Sequence, residues 1–241
     1  MATLVLLPGM HGSGELFAEF VAALGAEHEA IAISYPRDQP LDYAQLESIA
    51  RSGLPSDRPF VLLGESFSGP IAISIAASAP SRLRGLVLCG SFAKNPIPLL
   101  GTLRHVSGIL PIWPGIYGLG VRFVLGRFSR SVHPDAIVRA ITRVSPAVLR
   151  ARIRAVLTTD MTLRLSHIHV PVLYLRATKD RIVPRAAACL ISRSLSSTQV
   201  LELDAPHFLL QAVPVAAARE VRAFLRRTVF EEPSDVLAHQ T

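Results

Sequence analysis

The segment from Val61 to Pro70 runs from apolar residues into a serine that has small residues on both sides, in the order VLLGESFSGP. This pattern is typical of a nucleophile elbow, in which a sharp strand-to-helix turn presents one hydroxyl at the tip of a sheet. Such a turn needs small residues two positions before and two positions after the serine, because neighbouring backbone passes close by. Gly64 fills the first position and Ser68 the second, where the usual pattern has glycine. The segment therefore predicts Ser66 as a nucleophile and gives Ser68 a structural part.

A serine hydroxyl is a weak nucleophile unless a base removes its proton and a third group orients that base. Two later segments supply candidates: Asp180 follows an apolar run and precedes Pro184, and His207 follows the last predicted strand. Taken singly, Asp180 could cap a helix and His207 could be an ordinary loop histidine. The order of serine, acid and histidine along the chain, each after a predicted strand, favours one constellation. Asp204, three residues before His207, stays open as the alternative acid.

The elements that must hold these residues are short apolar runs that alternate with helical patterns, which is typical of parallel β/α units. One helix is expected to begin at Asp42 and end at Gly53, and the last helix to begin at Pro214 with Val215 on its buried face. The alternation breaks down between residues 95 and 166. The six strands are predicted at residues 3–7, 30–34, 60–63, 86–89, 172–175 and 199–203.

These residues and their order resemble the α/β-hydrolase fold family, in which the nucleophile, the acid and the histidine follow one another at the carboxyl ends of parallel strands. The resemblance spans almost the whole chain and extends to LPGMHG at residues 7–12, which is similar to the loop after the family's first core strand. By that match, Met10 and Phe67 would each give one backbone N–H to an oxyanion hole. Gly9 and His11 flank Met10 and are candidates for substrate contact, although His11 could equally be an exposed loop residue.

The resemblance implies a compact α/β-hydrolase fold of about six parallel strands flanked by helices, with a helical cap inserted after the fourth strand. We expect residues 1–94 and 167–230 to form the core, 95–166 an apolar helical cap, and 231–241 a polar tail. Residues 108–126 are almost uncharged, but their prolines, their glycines and Arg122 argue against a membrane-spanning helix. Trp113 in this stretch is a further candidate for substrate binding. A cap that only buries itself against the core is the alternative.

Composition narrows the classes of partner. The chain has 241 residues, half of them hydrophobic, and a formal net charge of +7, but the arginines are scattered and no nucleic-acid-binding module is recognised. Cys89 and Cys189 have no metal-binding spacing, and neither His167 nor His169 has a neighbouring cluster of cysteines or carboxylates. We therefore predict free, buried thiols and neither a metal nor an organic cofactor. With no basic leader and an apolar start too short for a signal peptide, the expected location is cytoplasmic.

The function that these residues favour is a serine hydrolase that cleaves small to medium apolar carboxylic esters through an acyl-enzyme. A thioesterase or acyltransferase would use the same triad, with an acyl-carrier or coenzyme A thioester as partner. Hydroxynitrile lyase or carbon–carbon hydrolase chemistry also stays open, as does a non-catalytic ligand receptor. The serine at the elbow speaks against the epoxide hydrolases and haloalkane dehalogenases of this fold, which use aspartate there.

Overall fold

The computed structural model describes residues 2–98, 114–130 and 132–230. These residues form a six-stranded sheet in the order β2-β1-β3-β4-β5-β6, and every neighbouring pair of strands is parallel. The six parallel strands predicted from the sequence are thereby confirmed. The strands are β1 Ala2–Leu7, β2 His28–Ala32, β3 Phe60–Glu65, β4 Leu83–Cys89, β5 Val172–Ala177 and β6 Thr198–Leu203.

Helices follow the strands and cover both faces of the sheet. Between β4 and β5 the chain forms α4 to α7 in place of a single connecting helix. The α-helices are α1 Ala18–Leu24, α2 Tyr43–Ser52, α3 Gly69–Ala77, α4 Pro114–Leu125, α5 Pro134–Thr142, α6 Pro146–Thr158, α7 Thr162–Leu165, α8 Arg185–Ser194, α9 Leu209–Ala212 and α10 Pro214–Leu225. Residues 99–113, which include Trp113, and the predicted tail 231–241 lie outside the described residues.

The strands are apolar on both sides because each face of the sheet is covered. Successive side chains of a strand point to opposite faces, so Val5 and Leu7 pack in the core on one face while Leu4 and Leu6 pack in the core on the other. A parallel sheet covered on both faces requires such continuous apolar runs. This requirement explains why the strands could be predicted from short apolar stretches.

Two local predictions about helices have different outcomes. Asp42 caps α2 as expected: its carboxylate accepts the N–H of Gln45 at 2.9 Å, and the Gln45 side chain accepts the N–H of Asp42 at 3.0 Å. The expectation that Val215 lies on the buried face of α10 is wrong, since its side chain is 70% exposed. Val215 lies in the first turn of α10, and the buried face of the helix is formed by residues from Ala217 onward.

The order of the strands creates a crevice beside β1. The chain passes from β1 to β2 on one side and reaches β3 on the other, so the strand order reverses between β1 and β3. In open α/β sheets, ligands bind outside the carboxyl ends of the strands at such a reversal. The loop after β1 and the turn after β3 meet at this point, and they carry the candidate oxyanion donors and Ser66.

The segment between β4 and β5 leaves and re-enters the core through a narrow neck. The N–H of Met161 donates to the carbonyl of Ala93 at 2.7 Å, and the N–H of Asn95 donates to the carbonyl of Thr159 at 3.1 Å. Lys94 and Asp160 form an ion pair of 2.9 Å across the same neck. Within the described stretches, none of the helices has the length and apolar character needed to cross a membrane.

Candidate active site

Ser66 occupies a strained turn between β3 and α3. Its φ angle of 48° lies in the left-handed region, which a residue with a side chain rarely adopts. A side chain at Gly64 would place a Cβ 2.8 Å from the Cβ of Ala72 and 3.0 Å from the carbonyl oxygen of Ser68. The turn therefore requires glycine at position 64. It lifts the Ser66 side chain above the carboxyl end of the sheet, as the sequence pattern predicts.

Three residues from distant parts of the chain form a chain of hydrogen bonds here. Ser66 Oγ lies 2.8 Å from His207 Nε2, and His207 Nδ1 lies 2.8 Å from Asp180 Oδ2. The side chains of His207 and Asp180 are only 7% and 4% exposed. With Nδ1–H donating to Asp180, the histidine holds Nε2 free to accept the serine proton.

Asp180 is ionised despite its burial. Burial alone would raise the pKa of this carboxyl, but His207, by its charge and its hydrogen bond, and the backbone N–H groups of Val183 and Ile182 together lower the pKa below its ordinary value. The two backbone donors reach Oδ1 at 2.9 and 2.8 Å. Oδ2 is thus left for His207, and a fixed negative charge faces the Nδ1 side of the imidazole.

The structure places the alternative residues elsewhere. Asp204 forms an exposed ion pair with Arg127 and accepts a bond of 3.4 Å from Thr178 Oγ1, so it does not reach His207. Ser68 is fully buried and donates to the carbonyl of Pro8 at 2.5 Å. Its hydroxyl therefore ties the elbow to the loop after β1, which explains the serine found where the usual pattern has glycine.

The two candidate oxyanion donors, the N–H groups of Met10 and Phe67, belong to peptide groups whose carbonyls accept hydrogen bonds. The carbonyl of Gly9 accepts the N–H of Gly12 at 3.0 Å, and the carbonyl of Ser66 accepts Ser91 Oγ at 2.7 Å. In a planar trans peptide the N–H points opposite to the carbonyl, so these bonds also fix the N–H directions of Met10 and Phe67. Phe67 lies in the first turn of a helix, where the N–H has no acceptor within the helix.

Glu65, next to Ser66, is a residue that the sequence reasoning missed. Its Oε2 accepts the N–H of Gly9 at 3.1 Å and lies 3.6 Å from His11 Nε2, while its Oε1 accepts Gln211 Nε2 at 3.0 Å. Burial would raise the pKa of this carboxyl, but His11, Gln211 and Gly9 lower it below the ordinary value. A carboxylate that ends an apolar strand must have buried partners, and that signal could have found it.

Arg152 on α6 is a second residue that the sequence reasoning missed. It is 1% exposed, and it donates to the carbonyl oxygens of Met10 at 2.6 Å and Pro36 at 2.9 Å. Its guanidinium carbon lies 5.9 Å from the ring centres of both Tyr35 and Phe67. Helix α6 contains several arginines, and no feature of the local sequence distinguishes the buried Arg152 from the others.

A cavity of about 160 Å³ opens beside Ser66 and His207, which is below the roughly 300–1,000 Å³ of drug-sized ligand sites and leaves room for a small group. Gly9 and His11, the candidates for substrate contact, line this cavity, whereas Trp113 lies outside the described residues. His11 is 4% exposed, so the alternative of an exposed loop histidine is wrong. The apolar side chains of the lining come from the loop after β1, from α5 and from the two loops that carry Asp180 and His207; they are Met10, Ile141, Ile182 and Phe208.

Other candidate ligands do not come together in the part of the chain that the structure describes. There, no three or more histidine, cysteine or carboxylate side chains are grouped so that they could hold a metal ion. His167 and His169 are exposed on either side of the buried Ile168. Cys89 is a buried free thiol as predicted, but Cys189 is only half-buried because it lies beside the packed face of α8 formed by Ala187, Ala188 and Ile191.

Solved structures share this architecture. The enol-lactonase from Burkholderia xenovorans superposes with a TM-score of 0.81 at 18% sequence identity, covering 93% of this chain and 91% of that one. A thermophilic esterase from Thermogutta terrifontis gives a TM-score of 0.79 at 20% identity, covering 95% of this chain and 90% of that one. At such identities the likeness establishes the fold.

Curated sequences and a family model complete the comparison. The polyketide synthase ThaQ from Burkholderia thailandensis is 28% identical over 93% of this chain, which spans only 12% of ThaQ. The pimeloyl-[acyl-carrier protein] methyl ester esterase from Neisseria meningitidis is 25% identical over 95% of this chain and 78% of that protein. Residues 4–221 match the model of the alpha/beta hydrolase family, and the chain belongs to that family.

Proposed function

We propose that this protein is a serine hydrolase that cleaves small to medium apolar carboxylic esters through an acyl-enzyme. The observation that carries the proposal is the hydrogen-bonded series Ser66–His207–Asp180 at the mouth of a cavity with apolar walls. The half-buried Ser66 hydroxyl and the buried imidazole, 2.8 Å apart, can exchange a proton without rearrangement. The size of the cavity suits an acyl or alcohol group of modest length.

In the proposed reaction, His207 Nε2 takes the proton of Ser66 as Oγ bonds to the ester carbonyl carbon. The carbonyl oxygen becomes an oxyanion that accepts hydrogen bonds from the N–H groups of Met10 and Phe67. As the carbon–oxygen ester bond breaks, the imidazolium returns its proton to the leaving alcohol. Water then attacks the acyl-enzyme with His207 again as base, and Ser66 is released with the free acid. Asp180 orients His207 and stabilises its charged form.

The division into core and cap is part of this proposal. We assign residues 1–94 and 167–230 to the core and 95–166 to a cap that closes the substrate site. Ile141, from the proposed cap, lines the cavity beside Ser66. This contact supports a cap that shapes the substrate site and does not merely cover the core.

The test is the initial rate on p-nitrophenyl esters from acetyl to long acyl chains, for the wild type and Ser66→Ala together. Loss of the nucleophile should lower kcat by about 10³-fold or more with the fold intact by circular dichroism. Ser48→Ala, at an exposed serine on α2, is the control and should keep full activity. Turnover by Ser66→Ala at the wild-type rate would contradict the proposal. The acyl chain length with the highest rate would indicate how long a group the cavity accommodates.

Thioester hydrolysis or acyl transfer is a second candidate, because one curated relative is named a polyketide synthase and the other is named for a substrate attached to acyl-carrier protein. The serine and histidine would act in the same way, and only the leaving group or the acyl acceptor would differ. Rates on oxygen esters and thioesters with the same acyl chain separate the two functions. A preference for carrier-protein or coenzyme A thioesters would replace the ester proposal, whereas ligand binding without any turnover would indicate a receptor.

A further inference from the structure

Arg152 is a buried cation for which the described part of the chain supplies no acidic partner. Among the described residues, no ion pair includes this guanidinium, although its residue is 1% exposed. Burial lowers the pKa of Arg152 to about 10, so the side chain is still charged at neutral pH. A buried charge is costly unless its donors are satisfied. Here two of its donors bind backbone carbonyls, which strongly constrains where those carbonyls lie.

The two carbonyls belong to the loops that follow β1 and β2. Arg152 Nη1 binds the Met10 oxygen at 2.6 Å, and Nη2 binds the Pro36 oxygen at 2.9 Å. The planar guanidinium offers its N–H groups in a fixed geometry, so the two bonds set the spacing between the loops. The guanidinium carbon lies over the rings of Tyr35 and Phe67, 5.9 Å from the centre of each.

The loop after β1 is shaped around this guanidinium. Gly12 has a φ of +74°, and a Cβ at this position would lie 2.5 Å from Arg152 Nη1. The Gly12 N–H holds the carbonyl of Gly9, which belongs to the same peptide group as the N–H of Met10. Arg152 holds the next carbonyl, that of Met10 itself. Together these contacts fix the peptide groups on both sides of the Met10 Cα and thus the direction of its N–H.

We propose that Arg152 is a positioning residue for the oxyanion-binding loop: its bond to the Met10 carbonyl aims the Met10 N–H at the oxygen of the reacting ester. This inference rests on the proposed serine hydrolase function. It assigns to the segment between β4 and β5 a part in the chemical step, in addition to shaping the substrate cavity. Arg152 itself does not line that cavity and acts only through Met10.

The experiment compares Arg152→Met and Arg152→Lys with the control Arg154→Met, which removes an exposed arginine from the same helix. Active sites are counted with a fluorophosphonate, so that misfolded protein does not enter the rate constants. Removing a whole oxyanion donor lowers kcat by about 10²–10³-fold. In Arg152→Met the Met10 N–H is still present but misdirected, so we expect kcat to fall by about 10- to 100-fold with little change in KM. Arg152→Lys keeps the charge and one donor and should recover part of the loss.

A transition-state analogue gives the second readout. The affinity of a trifluoromethyl ketone, which forms an oxyanion on Ser66, should weaken by the same factor as kcat/KM, because both report stabilisation of that oxygen. A purely structural Arg152 would lower the titrated fraction of active protein and leave both constants unchanged. Wild-type kcat and ketone affinity per active site in Arg152→Met would overturn the proposal. If that variant does not fold, the same two constants in Arg152→Lys decide.

The outcome for Arg152 can be separated from the outcome for the proposed function. Failure of the function would appear as a wild-type protein without turnover on esters or thioesters. In that case the crystal structure of Arg152→Met tests the positioning directly. A Met10 carbonyl that keeps its orientation in the variant would overturn the inference, and a reoriented peptide with faster amide exchange across residues 9–12 would support it.

Discussion

Replacing Glu65 with glutamine tests how the site is held together, because this carboxylate connects the loop after β1 to helix α9. Glu65 takes hydrogen bonds from the N–H of Gly9 at 3.1 Å and from Gln211 Nε2 at 3.0 Å, and it faces His11 Nε2 at 3.6 Å. All of these neighbours present N–H groups. The amide of a glutamine has one oxygen, so its NH₂ group must face at least one of these donors.

The size of the effect follows from that mismatch. A buried donor left without an acceptor costs about 1–3 kcal/mol. In a protein of this size each kcal/mol shifts the melting temperature by about 2–4 °C, so Glu65→Gln should lower it by about 2 to 12 °C at pH 7. The exposed Glu19 on α1 supplies the control, and Glu19→Gln should melt like the wild type.

The pH dependence gives the sign of the electrostatic contribution. The pKa of Glu65 in the folded protein is lower than its ordinary value of 4.5, so in this range the unfolded chain binds more protons than the folded one. The stabilisation is complete above pH 4.5 and is lost as the pH falls through the lower folded pKa. The gap in melting temperature between wild type and Glu65→Gln should therefore narrow in acid.

Thermal melts by circular dichroism, recorded for the three proteins from neutral to acidic pH, measure both effects. Equal melting temperatures for the wild type and Glu65→Gln at pH 7 would refute the reasoning, since the hydrogen bonds would then contribute nothing. A difference in melting temperature that widens in acid would refute the electrostatic argument, because it would require the pKa of Glu65 in the folded protein to lie above its ordinary value.

Two further substitutions test the neighbouring contacts. Asp180→Asn should lower kcat on p-nitrophenyl esters by about 10³–10⁴-fold, because the amide no longer fixes the orientation and tautomer of the histidine. The control Asp204→Asn should leave that rate unchanged. Equal losses in the two variants would contradict the assignment of Asp180 as the acid. Gly69→Ala would place a Cβ 1.6 Å from Ser91 Oγ and displace the Ser91 hydroxyl from the Ser66 carbonyl. We therefore expect lower stability in urea unfolding together with lower kcat. A variant with unchanged stability and kcat would show that Ser91 is dispensable.

The fold could be predicted because its strongest signals are local. Buried parallel strands leave apolar runs that a sequence displays directly, and β3 and β5 begin at Phe60 and Val172 as predicted. The second strand was placed two residues too late, at 30–34 instead of His28–Ala32. It lies at the edge of the sheet and is largely half-buried, so its pattern of apolar residues is weak and marks its ends poorly.

Ser66, Asp180 and His207 could be selected from the sequence because each follows a strand in a short pattern with few alternatives. Their supports were not found, because they come from positions far apart in the chain. Gln211 reaches Glu65 across 146 positions, and Arg152 reaches Met10 across 142. Neither side chain differs in type from many others in the sequence. Only the three-dimensional arrangement shows which arginine of α6 is buried.

The neck at Ala93 and Met161 has a consequence for how this protein can diversify. The chain leaves and rejoins the sheet at neighbouring points, so the intervening segment is a loop whose ends are held together. Lengthening such a loop adds only a slowly growing entropic cost to folding. The segment is therefore a module that can be exchanged for another of different length and lining. Its bonds to the loops after β1 and β2 limit this exchange: Arg152 binds the carbonyls of Met10 and Pro36, and the N–H of Ser145 donates to the carbonyl of Arg37. A transplanted module would have to restore such bonds.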